Sequence, residues 1–420
     1  MKTPPSGEST GPLAILTALL MLWGHCEAAP ALPDLGLQPP KVITSPGPEF
    51  AKSTRGAQGV PAIERAASGR LWAAWYTGTS PRGVESPFSY VVLATSGDDG
   101  RTWIELKAVI QAARFVHTYD PCLWIDPAGR MWFFWAQSAG LQDGRMGVWA
   151  IVTKNPDAEN PTWSEPRRIA NGIMLNRPTV LKNGDWLFPI GLWRDNTGLP
   201  NINLDGHDLS PYTKKMLEHD LGDERGSNVY RSRDQGKTFE RIGQVRIYPT
   251  RVDEHMIVER RDSSLWMLVR TTWGIGGSSS TDGGHTWSLG TKYMEAKNVA
   301  NRRFFIRRLQ SGALLMVRNN GPTNTRSHIS AFLSDDDGVS WQGGLLLDDR
   351  ESSYPDGVEA RDGTIYAIYD HQRYTLNRQE KKGVGGVMMA KFREEDIRAG
   401  KLVTDGARLR VVISQLRPDE

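Results

Sequence analysis

Residues 254–271 read EHMIVERRDSSLWMLVRT, two short apolar runs joined by a polar turn, with Glu254 ahead of the first run and Arg270 at the end of the second. A hairpin with strands of that length brings its open ends together, so the carboxylate and the guanidinium are predicted neighbours. Alone, this is an ordinary surface ion pair. The plan recurs, however, and the same two positions elsewhere hold Asp120 with Gln137, Arg177 with Trp193, Arg303 with Arg318, Tyr354-Pro355-Asp356 with Asp370, and Gly59 with Tyr76. Guanidiniums, carboxylates and aromatic walls converging in a concave place make a pocket for an acidic or polyhydroxy ligand. Burying such charges without a ligand is costly, which weighs against a purely structural ring of ion pairs.

The elements that must position these residues are six hairpins, each an apolar strand, a small-residue turn and an aromatic-rich strand. They begin at Val60, Asp120, Arg177, Glu254, Arg303 and Pro355. Their turns carry Gly69, Gly129, Gly184, Ser264, Gly312 and Gly363, spaced 60, 55, 80, 48 and 51 residues apart. That is close to the span of a four-stranded propeller blade. Downstream of most hairpins lies the pattern S-x-D-x-G-x-T-W, the Asp box: Ser96–Trp103, Ser232–Phe239, Ser280–Trp287 and Ser334–Trp341, with a worn copy at Asn155–Trp163. Its chemistry is structural, because Asp and Ser or Thr side chains satisfy a tight turn, Gly takes the awkward dihedral and the aromatic packs between sheets. The prediction is an all-β, six-bladed β-propeller over residues 41–415. A strand near Lys41–Thr44 is expected to close the ring against the last blade. The interval of 80 residues predicts a loop insertion at 194–226, and EEDIRA at 394–399 predicts a short helix.

The chain has 420 residues, 15 Trp, 43 Gly and a net charge of only +3 without a long basic run, which argues against nucleic acid as a partner. Residues 1–28 read as a secretory signal peptide: a weakly basic start at Lys2, an apolar run over Pro12–Gly24 and a small-residue cleavage site at Cys26-Glu27-Ala28. Residues 29–50 read as an extended lead-in. The mature protein is expected to be secreted or periplasmic, with no stable membrane insertion. Cleavage leaves Cys122 alone, so no intramolecular disulfide is expected, and Cys122 in PCLWI reads as core. No ligand cluster with metal-loop spacing is present in the sequence, and neither metal nor cofactor is expected.

The Asp boxes, the signal peptide and the six-bladed plan resemble the bacterial BNR-repeat branch of the sialidase (neuraminidase) superfamily across nearly the whole mature chain. Closer matches are a glutamate followed by a strand ending in arginine (Glu254, Arg270), an arginine at the next blade (Arg303, with Arg302 the alternative register) and a tyrosine in a Y-S-D-like setting, Ser353-Tyr354-Pro355-Asp356. The resemblance implies Tyr354 as nucleophile and Glu254 as the base that takes its phenolic proton, since a phenol with a pKa near 10 needs such a partner. It implies Arg270 and Arg303 as a bidentate clamp on a substrate carboxylate. Two departures stand out. Where sialidases carry the arginine of an R-I-P motif, this chain has Gly59-Val60-Pro61, leaving Arg55 or Arg177 as substitutes. The acid/base aspartate of the loop after the second strand is matched only by Glu85. Asp120 and Gln137, with His117 nearby, are expected to hydrogen-bond sugar hydroxyls, and Asp356 completes the set. The implied activity is exo-acting, retaining hydrolysis of a terminal acidic sugar from a glycan, sialic acid leading. The alternatives are cleavage of another uronic or ulosonic acid glycan, or a non-catalytic carbohydrate-binding propeller. Contact between Tyr354 and Glu254 separates these, because a binder has no reason to place them within hydrogen-bond reach.

Overall fold

A computed structural model describes residues 34–416 except 81–83, 194–202, 205–206, 209–218, 251, 253, 296–300, 322–324, 374–375, 378–381 and 384. The expected signal peptide and most of the expected insertion lie outside the described residues.

Every hairpin is closed by one device. In the first, Ala66 N–H donates to Arg70 O (2.8 Å) and Gly69 N–H to Ala66 O (3.0 Å), with Gly69 at φ +99°. The same pair of bonds recurs at Asp126, Leu181, Arg260, Leu309 and Ala360. In the fourth hairpin the residue matching Gly69 is Ser263, at φ +68°, rather than the expected Ser264. A left-handed dihedral is cheap for glycine and tolerable for serine in a turn.

Six antiparallel sheets follow in sequence order and form the six-bladed β-propeller. Their innermost strands are Ala57–Arg65, Val116–Ile125, Thr179–Val180, His255–Glu259, Phe305–Arg308 and Ser352–Glu359. Their second strands are Leu71–Gly78, Met131–Ala139, Trp186–Leu192, Leu265–Thr271, Leu314–Asn319 and Ile365–His371. These second strands are almost wholly buried, as near-continuous apolar runs between stacked sheets must be. The strand Lys41–Ile43 does not pair with the last blade. It pairs antiparallel with Ile104–Gln111 as the fifth, outermost strand of blade 1. The seam between blades 1 and 6 is closed instead by side chains. Ile63, Trp75, Ile368 and Met389 share one apolar cluster, and Gln58 Nε2 donates to Gly385 O (3.2 Å) and Ser414 Oγ (3.1 Å). Cys122 is buried in the core, and Glu394–Ala399 is the expected helix, ended by Gly400 in the left-handed region.

The Asp boxes are built alike. In the first, Ser96 Oγ donates to Asp98 Oδ1 (2.8 Å), and Thr102 donates to Asp98 through both its N–H (2.9 Å) and its hydroxyl (2.6 Å). Asp234, Asp282 and Asp336 repeat the arrangement. Those carboxylates are spent on their own turn. The box glycines let each turn press on the preceding blade: a Cβ at Gly236 would lie 2.6 Å from Trp132, and one at Gly338 would lie 2.5 Å from Trp266.

Three innermost strands carry a bulge of one extra residue just before a proline. They do so between Gly59 and Ala62, between Tyr119 and Cys122, and between Ser353 and Asp356. Within each bulge the residue before proline takes a left-handed dihedral: Val60 at φ +53°, Asp120 at +47° and Tyr354 at +51°. Such bulges re-aim a side chain, and non-glycine residues occupy these dihedrals only where the surroundings hold them.

Candidate active site

Glu254 precedes the innermost strand of blade 4, and Arg270 lies near the end of the strand beside it, so pairing His255 with Val269 sets them side by side. Arg270 Nη1 donates to Glu254 Oε2 (2.7 Å). The other oxygen, Oε1, accepts from the Tyr354 hydroxyl (3.1 Å), which the blade 6 bulge delivers to the same place. Arg270 Nη1 also reaches the phenol oxygen (3.3 Å). Burial opposes the Arg270 charge, but Glu254 and Tyr354 outweigh it and hold the guanidinium above its ordinary range. Arg270 thus occupies one oxygen of the Glu254 carboxylate and leaves the other to accept the phenolic proton.

Two more arginines face the tyrosine ring, and the sequence pattern assigns neither to the site. Arg326, in the approach to the third strand of blade 5, lies over the ring at 5.3 Å and donates to Ser353 Oγ (2.9 Å). Arg373, just past the second strand of blade 6, lies over it at 4.4 Å. Its guanidinium is 3.7 Å from Asp370 and 3.9 Å from Glu85. Arg373 runs through the space in front of Gly59, where a Cβ would meet its Cδ at 2.2 Å. The glycine at that position is therefore the room that Arg373 needs.

On the far side of Arg373 stands Glu85, its side chain 43% exposed, accepting from the Tyr76 hydroxyl (2.7 Å) with His117 Nε2 at 3.8 Å. Burial pulls the His117 imidazole down to about 4 against the attraction of Glu85, so it is neutral at pH 7. The His117 and Tyr119 rings stack at 3.9 Å and form a wall beside Tyr76. Asp120 occupies the bulge position that Tyr354 holds in blade 6. Burial first, then the charges of Glu85 and Glu254, push its carboxyl well above the usual range. A carboxyl there can accept from a sugar hydroxyl or, when protonated, donate to one.

The remaining expected residues are engaged elsewhere. Arg303 is buried, donating from Nε to Asn176 Oδ1 (3.1 Å), from Nη2 to Leu175 O (2.9 Å) and from Nη1 to Pro355 O, so its fork ties blades together. Arg177 bridges Glu64 (2.9 Å) and Asp356 (3.2 Å), which also accepts from Ile63 N–H (3.0 Å). Gln137 Nε2 donates to Gln38 O (2.8 Å) and Gly36 O (3.3 Å), holding the lead-in segment. Arg55 binds Glu105 (2.7 Å) on the outer part of blade 1, and Arg302 donates to Asn301. The structure thus brings together Tyr354, Glu254, Arg270, Glu85 and Asp120, adds Arg326 and Arg373, and leaves Arg303, Arg177, Gln137 and Asp356 in structural networks. Among the described residues no group of three or more His, Cys, Asp or Glu is arranged to hold a metal ion. No described helix is long and apolar enough to cross a membrane.

A family model described as a BNR repeat-like domain matches residues 113–367. No curated protein matches the chain. Among solved structures, the Hadza microbial sialidase Hz136 superposes with a TM-score of 0.55 at 18% identity, covering 75% of this chain and 63% of its own. A leech intramolecular trans-sialidase complexed with 2,7-anhydro-Neu5Ac gives a TM-score of 0.60 at 12% identity, covering 84% and 70% of the two chains. The intramolecular trans-sialidase from Ruminococcus gnavus gives 0.59 at 13%, covering 88% and 99%. At such identities the likeness is one of fold.

Proposed function

The chain belongs to the BNR repeat-like family, and from that membership we propose that it is an exo-acting, retaining glycoside hydrolase releasing a terminal acidic sugar, sialic acid first. One observation carries this reading: Tyr354 donates to Glu254 at 3.1 Å while Arg270 neutralises the other carboxylate oxygen at 2.7 Å. A carbohydrate-binding propeller has no need of that couple. In the proposed step the Tyr354 oxygen attacks the anomeric carbon as Glu254 takes its proton, and Glu85 protonates the departing glycosidic oxygen. Water that gives its proton to Glu85 then cleaves the glycosyl–tyrosine bond as Glu254 returns its proton to the Tyr354 oxygen, and two inversions give net retention. A neutral tyrosine suits an anomeric centre bearing a carboxylate, which would repel a carboxylate nucleophile. That substrate carboxylate is received by Arg270, Arg326 and Arg373, with Arg373 standing in for the side chain absent at Gly59. Residues 1–28, with the basic start and short apolar run of an export signal, support action outside the cytoplasm.

The test is fluorogenic release from the 4-methylumbelliferyl glycoside of N-acetylneuraminic acid by the wild type and by Tyr354→Phe, with proton NMR of the first-released anomer. Turnover in the wild type, loss of about a thousandfold or more in the variant and retention of configuration are expected. Turnover that survives Tyr354→Phe removes the tyrosine from the chemistry. Absence of turnover in the wild type, on this and on uronic and ulosonic acid glycosides alike, overturns the hydrolase reading.

A further inference from the structure

The innermost strand of blade 4 begins beside Glu254 and ends at Glu259, and five residues of strand carry the chain roughly 16 Å along the channel. At that far end, among the hairpin turns, lies a separate cavity of about 520 Å³. Its wall holds Arg177, Lys182, Arg260, Arg261, Arg307 and Arg308 against one carboxylate, Glu259. Two of these cations are neutralised: Arg177 by Glu64 and Asp356, and Arg308 by Asp337 at 2.6 Å. Three others are steadied by uncharged groups. Lys182 Nζ donates to Arg261 O (3.0 Å), Arg261 Nη2 to Gly312 O (3.0 Å) and Arg260 Nη1 to Ser279 Oγ (3.2 Å).

Arg307 differs from all of them. Its guanidinium makes no hydrogen bond or ion pair among the described residues, although Glu64, Asp356 and Glu359 attract it at longer range; its Nη1 is buried without a partner, and its side chain lines the cavity. A guanidinium carries five donors and cannot shed its charge at ordinary pH, so such a group demands an acceptor. Burial, and next the Arg177 charge, already lower its proton affinity. Trp124 and Phe305 form apolar walls in the same cavity, which suits a ligand with a carbon skeleton as well as a charge.

We propose that this cavity is a second, anion-binding site, taking a small organic phosphate or sulfate ester whose charged head meets Arg307 and whose skeleton lies against Trp124 and Phe305. The site stands on the turn face, apart from Tyr354, and the proposal is independent of the hydrolase reading.

The experiment is thermal unfolding and calorimetric titration of the full chain with sodium sulfate, sodium phosphate and glucose 6-phosphate, against sodium chloride at equal ionic strength. Wild type, Arg307→Met and Arg307→Lys are compared. The wild type is expected to show a saturable rise in Tm, strongest with glucose 6-phosphate. Arg307→Met is expected to lose that rise, to bind at least about tenfold more weakly, and to match or exceed the wild-type Tm in chloride, because an unpaired buried charge has gone. Arg307→Lys keeps the charge without the fork and is expected to fall between them. A rise in Tm that is equal in chloride and sulfate, or that survives undiminished in Arg307→Met, overturns the proposal. So does an Arg307→Met protein that unfolds well below the wild type in chloride, since the arginine would then be a structural group already satisfied.

Discussion

At the scale of single residues, the pairing of Glu254 with Arg270 was legible because strand register is local physics, whereas Tyr354 was joined to them through the family resemblance. A hairpin of known length fixes which ends meet, and the residue types then name the chemistry. Arg326 and Arg373 escape that logic because it covers only the starts and ends of the first two strands, whereas these two reach the site from connecting segments. A signal existed for each. Arg326 stands eight residues ahead of the box serine Ser334, on the approach to the third strand. Gly59 marks a missing side chain at a position facing the axis, and the space it leaves is filled by Arg373. That exchange is testable. The backbone at Gly59 takes no left-handed dihedral, so Gly59→Ala is free of backbone strain, yet its Cβ would lie 2.2 Å from Arg373 Cδ and push the guanidinium off its place over Tyr354. Losing one charge-assisted contact costs about 1.5–3 kcal/mol, so kcat/KM is expected to fall about tenfold to a hundredfold with little change in Tm. A Gly59→Ala enzyme with unchanged kcat/KM would show that Arg373 does not hold the substrate.

At the scale of elements, the Asp boxes were readable as structure because their spacing is the bonding pattern itself, with Ser, Asp, Gly and Thr at fixed offsets. The pre-proline bulges were written in the sequence too, as Val60-Pro61, Asp120-Pro121 and Tyr354-Pro355, but an X-Pro pair inside an apolar strand reads first as an edge or a break. Only the packed channel shows that the kink is held open. The boxes give a pH prediction. The Thr102 and Ser340 hydroxyls, with backbone N–H groups, hold Asp98 and Asp336 down to about 2, and Thr238 and Thr286 hold Asp234 and Asp282 lower still. A carboxyl whose folded pKa lies below its unfolded value stabilises the fold above the unfolded pKa, near 3.9, and loses that contribution as pH falls through the folded pKa. The contribution of the boxes to stability is therefore expected to hold down to about pH 4 and to be lost as pH falls on towards pH 2 and below. His117, buried neutral, costs stability over the separate window from about pH 6.5 to pH 4. Asp282→Asn is expected to be less stable at pH 7 and to show a shallower acid limb in urea titrations. An acid limb identical to the wild type would mean that the boxes add nothing to acid stability.

At the scale of the whole molecule, the period of the hairpins announced the number of blades, but not how the ring is sealed. Pairing a strand near Lys41 with the last blade solves the edge problem as well as the observed pairing with blade 1 does, and single-strand patterns do not distinguish two open edges. In the structure, Lys41 pairs with Gln111 and Ile43 with Val109, so this strand covers an outer edge and leaves the seam to side chains. At that seam Gln58 is central. Its Oε1 accepts from Trp75 Nε1 (3.0 Å), and its Nε2 reaches across to Gly385 O and Ser414 Oγ, with Trp75 fully buried beneath. Gln58→Ala strands the buried indole N–H and removes the crossing bonds, at a cost of about 1–3 kcal/mol. Amide exchange over Gly386–Phe392 and Arg408–Gln415 should then quicken, because those strands of blade 6 lose their neighbour. A chain beginning at Ser45 should instead quicken exchange over Ile104–Gln111, the strand it uncovers, and leave Arg408–Gln415 protected. If removing the first strand exposes Arg408–Gln415, that strand seals the ring after all. If neither change reaches blade 6, the apolar cluster of Ile63, Ile368 and Met389 holds the seam without help from Gln58, and the closure is hydrophobic at its root.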